Sequence, residues 1–150
     1  MLKLLLICSG NTCRSPMAEA ILRAKAWDRP WAIGSAGIYA EEARPATANA
    51  ALVMEELGFN LGSHRSRRLS PDMAQTADLI ITMEGWQCEE LRERFPRCRE
   101  HIYTLAQLAG MGGDVADPYG GSREVYRGAA EQLIKMIDAA WEEIIEKLTP

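Results

Sequence analysis

The chain has 150 residues, a formal net charge of −4 and four cysteines. Its length suits a single domain, residues 1–150, with a sizeable hydrophobic core. The negative charge argues against nucleic acid or an anionic membrane as a partner, and the N-terminal apolar run is too short for a membrane span or a signal peptide.

The first predicted element is a buried strand over residues 2–7 that ends at Cys8. A short polar loop follows, and Ser15 before Pro16 indicates a helix from residue 16 to about 27. A loop over a helix N-terminus directs backbone N–H groups at one point and so predicts an anion site. Arg14 can bind two phosphate oxygens at once. These cationic surroundings favour the thiolate form of Cys8, and Ser15 can donate a hydrogen bond to its sulfur.

Other interpretations of this stretch are weaker. A lone cysteine at a strand end is usually a core residue. A Walker-type nucleotide loop is excluded because no Gly-Lys-Ser/Thr ends it. Cys8 and Cys13 have a spacing that suits zinc, but no second ligand pair completes the site: Cys88 and Cys98 are too far apart, and the only histidines are His64 and His101. We therefore predict no metal and no cofactor.

The rest of the chain alternates strands and helices. We predict strands over residues 31–36, 79–83 and 101–105, and helices over residues 46–57, 69–76, 85–95 and 123–148. The arginines of the 60–69 loop are interpreted as a solvated charge run. This order predicts an α/β fold: a single-domain parallel four-stranded sheet with helices on both faces. Ligands bind at the carboxyl ends of such strands, which brings the glycine-rich loop 110–121 towards Cys8.

Residues 8–16, Cys-Ser-Gly-Asn-Thr-Cys-Arg-Ser-Pro, resemble the phosphate-binding loop of the low-molecular-weight protein tyrosine phosphatase family. The resemblance continues at residues 34–37, 63–67, 77–83 and 117–119, and so covers essentially the whole chain. It implies a phosphatase with a phosphocysteine intermediate. It assigns catalysis to Cys8, Arg14 and Asp117, and phosphate binding to Ser9, Gly10, Asn11, Thr12, Cys13, Arg14 and Ser15. It also implies a supporting group behind the loop, formed by Ser15, Ser35 and His64, although His64 is equally interpreted as an ordinary surface histidine.

Asp117 is the candidate general acid and base, and this depends on the resemblance. By itself Asp-Pro is a turn signal, but the family carries an Asp-Pro-aromatic loop at this position. Asp114 is the alternative acid. The resemblance also implies a substrate pocket lined by Thr12, Tyr39, Asp114 and Tyr119.

Thr12 bears on the substrate. Tyrosine phosphatases of the family usually carry Ile or Leu at this position, and the phosphoarginine phosphatase branch carries Thr. Residues 113–122 also resemble that branch, which has Phe where this chain has Tyr119. We therefore predict a protein phosphoarginine phosphatase, in which Asp114 or Asp117 pairs with the guanidinium.

Three alternatives remain open: a tyrosine phosphatase, a thioredoxin-coupled arsenate reductase and a phosphate-binding module without catalysis. The reductase needs two further cysteines, and the spacing of Cys88 and Cys98 does not match that relay. The expected partners are phosphorylated proteins, and we expect a cytoplasmic monomer. Cys13 is either a packing residue or a resolving thiol that captures oxidised Cys8 as a reversible disulfide.

Overall fold

A computed structural model describes residues 1–149 and confirms the predicted α/β fold. Its four parallel strands are β1 (Leu2–Cys8), β2 (Trp31–Gly37), β3 (Leu79–Thr82) and β4 (Ile102–Thr104). They are arranged in the order β2-β1-β3-β4, so that β1 and β3 are central. Cys8 pairs with Gly37, and Ile7 pairs with Thr82. The carboxyl ends of the first three strands therefore lie side by side.

Six α-helices cover the sheet: α1 (Arg14–Lys25), α2 (Ala48–Glu56), α3 (Pro71–Thr76), α4 (Gly85–Arg94), α5 (Leu105–Leu108) and α6 (Arg123–Leu148). A 3₁₀ helix spans Pro96–His101. Leu4, Leu6 and Cys8 pack into one buried cluster with α1, α2, α5 and α6. Leu5 and Ile7 pack into a second cluster with α3 and α4. Alternate residues of β1 thus supply the cores on both faces of the sheet.

Several element boundaries differ from the prediction by one or two residues, and two of these differences have a local physical cause. Helix α1 begins at Arg14, two residues before the predicted start, with Cys13 as its N-cap. Pro16 is tolerated in the first turn because N–H groups there have no intrahelical partner. The predicted strand 101–105 ends at Thr104, because the Thr104 side chain accepts a hydrogen bond from Gln107 N at 3.0 Å and begins α5.

No helix in residues 1–149 is long and apolar enough to cross a membrane.

Candidate active site

The loop of residues 8–15 connects the carboxyl end of β1 to the first turn of α1, and four of its carbonyl groups are bound from outside the loop. Each of four carbonyl oxygens accepts a hydrogen bond from outside the loop: Cys8 O from Ile38 N (3.0 Å), Ser9 O from Tyr39 N (3.0 Å), Asn11 O from the His64 ring (2.7 Å) and Thr12 O from Thr47 N (2.9 Å). Because the carbonyl groups are bound on the outside, the concave side of the loop is left to N–H groups. The N–H groups of Arg14 and Ser15, in the first helical turn, add to this anion site.

Asn11 holds the loop in shape. It is buried and has a φ of 57°, a left-handed conformation that Asn adopts more readily than most residues. Its Nδ2 donates to Ser15 Oγ and Ser35 Oγ, both at 2.9 Å, and its Oδ1 accepts from Arg67 N at 3.0 Å. The side chain of Asn11 therefore connects the loop to β2 and to the segment around Arg67.

Cys8 forms the floor of the concavity. Its Sγ lies 2.9 Å from Ser15 Oγ and accepts a hydrogen bond from Asn11 N at 3.3 Å. Ser15 Oγ already accepts from Asn11 Nδ2, so its own proton is available to Cys8. Two donors at the sulfur stabilise a thiolate.

Arg14 is buried, and its guanidinium group is bound by Val115 and Glu84. Its Nη1 donates to Val115 O at 2.9 Å and contacts Glu84 Oε2 at 2.8 Å. Burial alone would lower the pKa of Arg14, but the hydrogen bond to Glu84 and the charges of Cys8 and Asp117 raise it above its ordinary value. Nε of Arg14 is buried and has no hydrogen-bond partner within residues 1–149. This orphaned donor fits a bound anion.

Asp117 lies at the mouth of the concavity, on the long loop before α6. Its Oδ2 is 3.6 Å from Arg14 Nη2. Its Oδ1 accepts hydrogen bonds from Tyr119 N at 3.1 Å and from the Cys13 thiol at 3.7 Å. The side chain is 49% exposed, so that a group bound over Cys8 and the solvent both reach it.

These residues surround a cavity of about 440 Å³. Its lining consists of Cys8, Gly10, Thr12, Cys13, Arg14, Tyr39, Glu41, Arg44, Pro45, Ala46, Thr47, Asp117 and Tyr119. The predicted pocket residues Thr12, Tyr39 and Tyr119 are among them. A volume in this range suits a small ligand or one side chain of a larger substrate.

Asp114 does not line this cavity, contrary to the prediction. Its Oδ1 accepts a hydrogen bond from Gly85 N at 2.8 Å, at the N-terminus of α4. A carboxylate is favourable there because the first N–H groups of a helix have no intrahelical partner. Asp114 therefore binds the first N–H group of α4, whereas Asp117 lines the cavity together with Cys8.

Ser35 and His64 lie behind the loop rather than in the cavity. Both bind Asn11, and Ser35 Oγ also donates to Glu19 Oε1 at 2.6 Å. Arg65, Arg67 and Arg68 are exposed, as the predicted solvated charge run requires, and Arg67 Nε in addition donates to Ser35 O at 2.9 Å.

Sequence reasoning missed Glu84 and Gln87. Glu84 binds Arg14, and Gln87 Nε2 donates to Glu84 Oε2 at 3.2 Å and to Ser9 Oγ at 3.3 Å. Glu84 follows the carboxyl end of β3, and in parallel sheets ligand-binding groups lie at the carboxyl ends of strands. Its position in the sequence could therefore have identified Glu84 as a candidate site residue.

Tyr39 at the rim is fixed by contacts outside the cavity. Its hydroxyl donates to Glu90 Oε1 at 2.8 Å, and its ring stacks on Trp86 with the centroids 6.3 Å apart. The hydrogen bond to Glu90 is the main cause that raises the pKa of Tyr39, so the hydroxyl keeps its proton.

The four cysteines are free thiols. Cys88 and Cys98 are buried and donate to Ile102 O at 3.9 Å and Ala74 O at 3.6 Å, in the core on the other face of the sheet from Cys13. Within residues 1–149 there is no group of His, Cys, Asp and Glu side chains that could hold a metal ion.

Comparison with known proteins finds one matching family and similar proteins that are described as phosphatases. A family model described as low molecular weight phosphotyrosine protein phosphatase matches residues 3–149. A protein-arginine-phosphatase from Geobacillus stearothermophilus is 38% identical over 144 residues, which cover 95% of each chain. A probable low molecular weight protein-tyrosine-phosphatase, EpsP, from Ralstonia nicotianae is 35% identical and covers 91% of each chain. A solved structure of the YwlE arginine phosphatase, a mutant with a phosphorylated active-site serine, matches with a TM-score of 0.88 at 30% identity and 97% coverage of each chain.

Proposed function

The chain belongs to the low molecular weight phosphotyrosine protein phosphatase family and is a cysteine-dependent protein phosphatase, and we propose that its substrate is phosphoarginine in proteins. The observation that carries this proposal is Thr12, a polar side chain in the wall of the cavity that Cys8 and Asp117 also line. A planar apolar ring gains little from a polar wall, whereas a guanidinium has N–H donors for polar and carboxylate oxygens.

The charges of the cavity lining support the same substrate. Two carboxylates, Asp117 and Glu41, line the cavity. Asp117 contacts Arg14 at 3.6 Å, and Glu41 forms an ion pair with Arg44. When the phosphoryl group of a substrate binds Arg14, the carboxyl group of Asp117 faces the group attached to the phosphorus. Once Asp117 has given its proton to a departing guanidine nitrogen, the guanidinium that forms is stabilised by a charge-assisted hydrogen bond to the resulting carboxylate.

In the first step the Cys8 thiolate attacks phosphorus. The S–P bond forms, the P–N bond breaks, and protonated Asp117 gives its proton to the departing guanidine nitrogen. Arg14 and the loop N–H groups hold the phosphoryl oxygens during the transfer.

In the second step the Asp117 carboxylate takes a proton from water while the water oxygen attacks phosphorus. The S–P bond breaks, inorganic phosphate leaves, and Cys8 returns as the thiolate. Ser15 and Asn11 stabilise that leaving thiolate through the contacts of 2.9 and 3.3 Å to its sulfur. The related phosphatase mutant with a phosphorylated active-site serine supports a phosphoenzyme intermediate.

The test is a comparison of kcat/KM on one peptide sequence carrying either phosphoarginine or phosphotyrosine, with Cys8→Ser as the inactive control. We expect a clear preference for phosphoarginine. A preference for phosphotyrosine would overturn the substrate while leaving the two-step mechanism in place, and hydrolysis of neither would favour an arsenate reductase or a binding module.

Thr12→Ile is expected to move the ratio of the two kcat/KM values towards phosphotyrosine by about tenfold or more, which corresponds to about 1.4 kcal/mol in relative transition-state free energy. Thr47→Val is the matched control, because Thr47 lines the same cavity and its substitution likewise replaces a hydroxyl group by an apolar side chain. An unchanged ratio in the Thr12 variant would contradict the role of this residue.

A further inference from the structure

The orientation of Asp117 depends on few contacts. The loop between α5 and α6 that carries it has glycines with positive φ at residues 110, 113 and 120, and the carboxylate is half exposed. Its two hydrogen bonds, from Tyr119 N and from the thiol of Cys13, both end on Oδ1. Tyr119 N belongs to the same loop, so Cys13 is the hydrogen-bond donor that ties this carboxylate to the body of the protein.

The direction of the Cys13 contact is fixed by chemistry. Cys13 is buried at the N-cap of α1. Burial, followed by the negative charges of Cys8 and Asp117, raises the pKa of the Cys13 thiol to about 12. The thiol therefore keeps its proton near neutral pH, and an ionised carboxylate can only accept a hydrogen bond.

On the basis of the proposed two-step mechanism, we propose that Cys13 is a positioning residue that donates its S–H to Oδ1 of Asp117 and so makes Oδ2 the oxygen that carries the catalytic proton. Oδ2 is the oxygen on the side of Arg14, at 3.6 Å from Nη2. Since Arg14 faces the phosphoryl site, Oδ2 is also the carboxylate oxygen placed to reach the leaving group.

This role predicts a dependence on the leaving group. A general acid matters most when the departing oxygen or nitrogen is strongly basic, and least when the leaving group is stable as an anion. Loss of the thiol donor should therefore slow phenyl phosphate hydrolysis more than 2,4-dinitrophenyl phosphate hydrolysis. A residue that only fills space would change both rates by the same factor.

The experiment measures kcat/KM for both aryl phosphates in the wild type, Cys13→Ala, Cys13→Ser and Asp117→Asn, in the presence of a thiol reductant. Cys13→Ala is expected to lower the value for phenyl phosphate by about three- to tenfold, the loss of one hydrogen bond to the carboxyl group of Asp117, with little loss for the dinitrophenyl ester. Cys13→Ser, which keeps a donor, should recover most of the loss.

Two results would overturn the inference: equal losses on both esters in Cys13→Ala, or no recovery in Cys13→Ser. Asp117→Asn separates this failure from a failure of the proposed mechanism. If Asp117→Asn shows the leaving-group dependence and Cys13→Ala does not, the positioning role of Cys13 is wrong while the general acid stands. If Asp117→Asn also lacks it, the general-acid role itself is wrong.

Discussion

Asn11 combines two properties that no other residue type supplies together at this position. Glycine would adopt the φ of 57° without strain but would leave Ser15, Ser35 and the Arg67 N–H without their partner. Alanine would lose the same hydrogen bonds and would also be strained. The two substitutions therefore separate the contribution of backbone conformation from that of the side chain.

We expect Asn11→Gly and Asn11→Ala both to lower kcat/KM, because Asn11 holds the loop that surrounds Cys8. Asn11→Gly should lower the free energy of unfolding by about 2 kcal/mol through its lost buried hydrogen bonds. Asn11→Ala should be less stable than Asn11→Gly by about 1 kcal/mol, since the left-handed cost of about 1–2 kcal/mol exceeds the extra unfolded-state entropy of glycine, about 0.5–1 kcal/mol. Urea denaturation measures both, and equal stability of the two variants would contradict the assigned strain.

At the scale of elements, residues 64–68 join the loop of Cys8 to the rim of the cavity. His64 and Arg67 bind Asn11 on one side of this segment. On the other side, buried Ser66 holds the rim turn of residues 41–44. Its side chain makes two hydrogen bonds, since Oγ donates to Glu41 O and accepts from Arg44 N. Its backbone makes two more, since Ala43 N donates to Ser66 O and Ser66 N donates to Arg44 O. One segment thus positions the anion site and the substrate entrance together.

Ser66→Ala is expected to raise KM for a phosphopeptide several-fold with little change in kcat, because the rim turn loosens while the contacts of Asn11 remain. The free energy of unfolding should fall by about 2 kcal/mol, since two buried hydrogen bonds are lost. Ser63→Ala, at an exposed neighbouring serine, is the matched control and should change neither quantity. If Ser66→Ala loses stability with an unchanged KM, the link between this segment and the rim is wrong.

The elements that sequence reasoning predicted well are those with long apolar patterns. The run of residues 2–7 and the helical stripe of residues 123–148 each commit many residues to one core. Helix α5 was missed because its four residues continue the apolar run of β4, and only the capping pair Thr104 and Gln107 marks the change.

The candidate site divides in the same way. Residues 8–15 could be predicted as an anion site because they are contiguous in sequence. A strand that is followed by a short polar loop and a helix start indicates such a site by itself. Glu84 contacts Arg14 and Gln87 contacts Ser9 because β1 and β3 are adjacent in the sheet, although the members of each pair are seventy or more residues apart along the chain, so that no local pattern contains them. The prediction that Asp114 lines the pocket failed for a related reason, since sequence alone does not tell which carboxylate of a glycine-rich loop binds a helix N-terminus and which lines the cavity.

At the scale of the molecule, arginine side chains occupy both edges of the sheet. At the β2 edge, Arg23 Nη2 donates to Ile33 O at 2.6 Å and Arg67 Nε donates to Ser35 O at 2.9 Å. Gly34 between them allows the close approach, because a Cβ there would lie 2.6 Å from Arg67 Nη2. At the β4 edge, Arg92 Nη2 donates to Ile102 O at 2.6 Å. Capped edges disfavour pairing between sheets of two copies.

We therefore expect a monomer, and we expect that removing the arginines at the longer edge promotes association. Sedimentation velocity over a range of concentrations compares the wild type with Arg23→Ala/Arg67→Ala, which exposes Ile33 O and Ser35 O. The control is Arg65→Ala/Arg68→Ala, because it makes the same change of net charge at exposed side chains that do not cap these carbonyls. The wild type and the control should sediment as monomers, while the first variant should form larger species as its concentration rises. A dimeric wild type would refute the monomer directly, and a monomeric Arg23→Ala/Arg67→Ala variant would show that the seven-residue strand β2 is protected by something other than its arginines.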